Sequence, residues 1–99
     1  MAVKDAFKER TDIKVKEPRH YNVLMFNDDF TTMEFVVNIL IDIFNKDEIT
    51  ANTLMMSVHK AGRAVVGTYP LDIANTKVNE ALARARAEGF PFRMTVEGA

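Results

Sequence analysis

The stretch "FNDDFTTMEF", residues 26–35, places Asn27, Asp28 and Asp29 side by side just ahead of a segment with helical spacing. Two adjacent carboxylates repel one another unless a positive group answers them. That group can be a metal ion, a proton in acid–base chemistry, or a cation carried by a partner. The same residue types also close turns and cap helices, so a purely local role stands beside these three. His59, in "LMMSVHKAG", lies one position past Val58, at the margin of an apolar stripe. There it is either a hydrogen-bonded boundary residue or an acceptor that offers its neutral nitrogen to a ligand.

The metal option is poorly supplied. A calcium loop needs more oxygen ligands at regular spacing. A zinc site needs more than His20 and His59 in a chain without cysteine. No metal or other cofactor is expected. Asp28 with His59 could act as an acid–base pair. No nucleophile motif or glycine-rich phosphate loop accompanies them, and the chain does not read as an enzyme. Met33, Met55 and Met56 are unbranched and polarizable. They are either core filler or the walls of an adaptable pocket. The exposed charges of the segment 72–88, among them Asp72 and Lys77, are either a solvated face or a docking surface.

These residues must be positioned by one small domain. Ninety-nine residues suffice for a single core, and 47% hydrophobic with 27% charged is ordinary globular composition. A net charge of −1 provides no overall attraction for nucleic acid or anionic membrane. No apolar run has the length of a membrane span, and the first twenty residues lack a signal-peptide pattern. The chain is expected to be cytoplasmic, without nucleic-acid or membrane partners.

Residues 1–19 sustain no strand or helix period and are expected to form a flexible N-terminal extension. Residues 20–99 form the core domain. "HYNVLMFN" (20–27) alternates as a strand with both faces apolar. A helix over 31–44 opens with Thr31 and Glu34 as a capping box. A second helix over 46–62 could take Asn45 as its cap and ends at Gly62. "RAVVGTY" (63–69) is a strand, 70–88 a third helix with Pro70 in its first turn, and "FPFRMTVE" (90–97) an alternating strand. The order β-α-α-β-α-β predicts an α+β fold, a small three-stranded antiparallel sheet packed against three helices.

The strings "VLMFNDDFTTMEFVV", "LMMSVHKAGRAVVGTY" and "IANTKVNEA" resemble the ClpS family, the adaptors of a Clp AAA+ protease in the bacterial N-end rule pathway. The resemblance runs from about Pro18 to Ala99. It implies an adaptor that binds proteins whose first residue is Leu, Phe, Tyr or Trp and delivers them to the unfoldase, without catalysis. It implies that Asn27, Asp28 and His59 hold the α-amino group. Thr31, Met33, Val36, Ile39, Met55, Val58 and Phe92 would line the cavity for the first side chain, with Asp29 at its rim and Met33 as a gatekeeper against β-branched residues. The surface around Asp72 and Lys77 would dock on the unfoldase's N-terminal domain. Phe92 stands where the family often has Leu, and is expected to narrow the cavity against Trp. The topology is also close to that of the ribosomal stalk protein's C-terminal domain, which leaves a different interaction module as the alternative.

Overall fold

The structure, a computed structural model, describes residues 19–99. Apart from Arg19, the expected flexible extension lies outside the described residues. The elements are β1 (His20–Phe26), α1 (Met33–Asp42), α2 (Glu48–Ala61), β2 (Arg63–Pro70), α3 (Leu71–Ala87) and β3 (Arg93–Gly98). The strands form one antiparallel sheet in the order β2-β1-β3. This is the order of elements read from the sequence.

The central position of β1 explains its composition. Val23 and Met25 point toward the helices and are fully buried, while Leu24 is buried on the opposite face. The helices cover the first face with Phe35, Val36, Ile39, Leu40, Ala51, Val58, Ala74, Val78 and Ala81. Burying side chains of the larger aliphatic kind contributes roughly 1.5–3 kcal/mol each. The β1–β2 pairing shifts register between Val23 and Leu24, a bulge that leaves Gly67 opposite Val23.

The ends of elements differ from the sequence reading: Pro70 closes β2 and precedes the first turn of α3 instead of lying in it, and three further differences have local causes. Thr32, not Thr31, caps α1: its hydroxyl accepts from the Phe35 amide at 3.1 Å. Thr31 is occupied elsewhere, as described below. Asp47, not Asn45, caps α2 by accepting from the Thr50 amide at 2.7 Å. Asn45 instead adopts a left-handed backbone with φ of 56°, which Asn tolerates better than most residues, in the turn between the helices. β3 starts at Arg93 rather than Phe90. Pro91 has no N–H to give a ladder, and the Phe90 amide is committed to the Ala85 carbonyl at 2.9 Å, closing α3. Phe90 and Phe92 nevertheless stay on the apolar side, each edge-on to the Phe35 ring at 5.1 and 5.9 Å.

Candidate functional site

The loop between β1 and α1 is organised by Asp28. Its Oδ1 accepts from the amides of Phe30 at 2.8 Å and Thr31 at 2.7 Å, and its Oδ2 accepts from the Thr31 hydroxyl at 2.8 Å. Partial burial alone would raise the pKa of this carboxyl. The bonds from Thr31 and Phe30 outweigh it and hold the group below its ordinary 3.8. An ionised carboxylate has about four lone-pair sites. With three satisfied internally, Asp28 is an anchored anion with capacity for one further donor.

Asn27 is fixed from the other side. Its amide donates to the Gly62 carbonyl at 2.9 Å. Gly62 ends α2 in the left-handed region, φ 91°, and its own amide closes on Val58 at 2.8 Å. His59 sits in that last helical turn and is exposed. The bond between Asn27 and Gly62 therefore ties the Asn-Asp-Asp loop to the helix end that carries His59. Sequence patterning gives no sign of this tie, because a backbone-to-backbone bond depends on no side chain. Asp29 is exposed at the loop's edge.

The apolar residues divide into two sets. Val36, Ile39, Val58 and Phe92 are buried in the core, Ile39 completely. Met33 is 45% exposed at the start of α1, and Met55 is half-buried on α2. These two methionines share a crevice of about 190 Å³ between α1 and α2, with Glu34, Val37, Asn38 and Asn52. The last four were not anticipated; Glu34, Asn38 and Asn52 are exposed polar residues, and Val37 is half-buried against the core. A broader, open depression of about 390 Å³ on the flank of α2 is lined by Asn52, Thr53, Met56, Ser57 and Lys60; of these only Met56 stood among the candidate pocket walls of the sequence. Phe30, within the loop, is 75% exposed.

Asp72 and Lys77 are not equivalent. Asp72 is exposed in the first turn of α3, accepting from the Ile73 amide at 2.9 Å, between the exposed Leu71 and Ile73. Lys77 is half-buried. Its Nζ donates to the Ile43 carbonyl at 2.7 Å and lies 5.8 and 5.6 Å from the Phe44 and Tyr69 ring centres. It thus supplies the cation that the last turn of α1 lacks in its own sequence.

Among the described residues, no three His, Asp or Glu side chains gather as a metal ion would require. No helix among them is long and apolar enough to cross a membrane.

These features define a small α+β binding domain: an anchored acceptor loop, stitched to a helix end, beside a methionine-rimmed crevice. The family described as "ATP-dependent Clp protease adaptor protein ClpS" matches residues 16–95. The adaptor ClpS of Oleidesulfovibrio alaskensis is 52% identical over 84 residues, which cover 85% of this chain and 81% of that protein. That of Clostridium acetobutylicum is 43% identical over 98 residues, covering 97% of each. Among solved structures, Agrobacterium tumefaciens ClpS2 bound to L-phenylalaninamide superposes with a TM-score of 0.81 at 40% identity, covering 84% of this chain and all of that one. The chain belongs to the ClpS family of Clp protease adaptors. Membership favours the adaptor reading over the ribosomal-stalk alternative.

Proposed function

We propose that this protein recognises other proteins by a bulky hydrophobic first residue, with Asn27, Asp28 and His59 holding the α-amino group. It delivers them to a Clp AAA+ unfoldase in the cytoplasm. The observation that carries this reading is the Asp28 carboxylate, ionised and anchored yet short of one donor. A free amino terminus, with a pKa near 8, is mostly cationic at neutral pH and offers three donors. An Asn carbonyl, a carboxylate and a neutral imidazole are three matching acceptors. Charge-assisted bonds of this kind contribute about 1.5–3 kcal/mol each. An internal peptide bond has no charge and at most one donor, so the loop rejects it. L-phenylalaninamide, held by the Agrobacterium relative, combines a free amino group with an apolar side chain and little else.

The first side chain enters past Met33 and Met55 toward Val36, Ile39, Val58 and Phe92, with Thr31 at the mouth and Asp29 on the rim. The deep walls are closed and the methionines exposed or half-buried. Unbranched thioether chains can turn aside at low cost, and so act as the gate. Docking on the unfoldase's N-terminal domain uses the α3 surface around Asp72, with Lys77 at its edge. Neither cofactor nor catalysis is required.

Titration with peptides differing only in the first residue tests the proposal. Leu, Phe and Tyr should bind, while Ala, Val and Glu should bind at least tenfold more weakly. Affinity that ignores the first residue would sink it.

A further inference from the structure

We infer that Arg93 is a positioning residue for the amino-terminus site, acting through Phe26. This rests on the first-residue reading above. Phe26 and Arg93 are the last directly opposed pair of β1 and β3. Asn27 and Phe92 are the chain neighbours of this pair, one residue beyond it on either strand. One of these is the expected amine acceptor and the other the expected cavity wall, so the final rung of the ladder sets their spacing. That rung is held on the sheet's outer face by the Arg93 guanidinium, centred 4.1 Å from the Phe26 ring centroid. Arg63, opposite Phe26 on β2, belongs to the same row. Asn27 is tied on that side by the Gly62 bond. On the β3 side the Phe35 ring holds Phe92 from the core and Arg93 stacking adds a restraint from the outer face, where Pro91 has no amide to donate and the Phe90 amide is spent on Ala85. A guanidinium packs flat against an aromatic face as an ammonium does not.

Neither side chain belongs to the binding surface proposed above, and both lie on the face away from the helices. Their effect on binding is therefore indirect. The test is a double-substitution cycle read by titration with Phe- and Leu-initiated peptides and by thermal melting. Arg93→Gln, which keeps the stem and loses the cation, should weaken Phe-peptide binding about three- to fivefold. It should also shift the Phe-to-Leu preference, because the cavity wall moves relative to the clamp. Phe26→Leu should cause the same loss, the double variant no further loss, and Arg93→Lys only partial recovery. Wild-type affinity in Arg93→Gln, an unchanged Phe-to-Leu ratio, or losses that simply multiply in the double variant would overturn the inference while leaving the first-residue reading intact. Failure of the wild-type protein to bind either peptide would overturn both.

Discussion

Thr31 donates to both oxygens of Asp28, its amide to Oδ1 at 2.7 Å and its hydroxyl to Oδ2 at 2.8 Å. One residue thereby orients the carboxylate, keeps it ionised and leaves part of it free. Replacement by the near-isosteric Thr31→Val removes only the hydroxyl bond. The Asp28 carboxyl should then titrate closer to its ordinary 3.8, followed by carboxyl-carbon NMR, and the affinity for a Phe-initiated peptide should fall about tenfold.

The pH dependence of stability follows from the same bonds. The folded pKa of Asp28 is depressed. Its stabilising contribution is therefore complete above the unfolded value and is lost as pH falls through the folded one. The stability gap between wild type and Thr31→Val, measured by denaturant melts, should be full at neutral pH. It should shrink in the acid range below 3.8. A gap that widens on acidification would contradict this assignment.

Thr31 and Thr32 should separate binding from folding. Thr32 caps α1, so Thr32→Ala should destabilise the protein by about 1 kcal/mol, seen as a lower melting temperature. Peptide affinity at a temperature where the protein remains folded should change little. Thr31→Val should instead lose peptide affinity as well as stability, because the bond it removes orients Asp28.

Phe92 is edge-on to Phe35 at 5.9 Å with an interplanar angle of 77°. Phe92→Leu gives up that contact, of about 0.5–1.5 kcal/mol, and opens space. Stability should drop, while affinity for Trp-initiated peptides should rise severalfold relative to Phe-initiated ones. An unchanged Trp-to-Phe ratio would show that Phe92 does not limit the cavity.

On the proposed docking surface, Lys77→Ala should lower the melting temperature because it strips the Ile43 carbonyl of its donor. Asp72→Lys should leave melting nearly unchanged. Both should weaken capture by the unfoldase's N-terminal domain. For Asp72 that loss is one of docking alone.

The periodicity of β1 and the helices made the fold legible, because alternation and 3.6-residue stripes record which faces are buried. Val23 and Met25 in β1, and Val36 and Ile39 in α1, lie where those patterns put them. The ends of elements were less legible. Thr31 and Thr32 are chemically alike, and only three-dimensional placement decides that one serves Asp28 and the other the helix. Phe90 and Phe92 continue the alternation of β3, yet Pro91 and the Phe90–Ala85 bond delay the ladder to Arg93. Of the proposed site, Asn27, Asp28 and His59 stood out by type and by family resemblance. The Gly62 tie and the stacking of Arg93 on Phe26 did not, since one is backbone and the other joins residues 67 positions apart in the sequence.

The most direct measurement compares one Phe-initiated peptide with a free and with an acetylated amino terminus, titrated against the full chain. Acetylation removes the charge and all but one donor while leaving the side chain untouched. The free peptide should bind and the acetylated one should lose roughly a hundredfold or more in affinity. Equal affinities would show that Asp28 and its neighbours do not read the amino terminus.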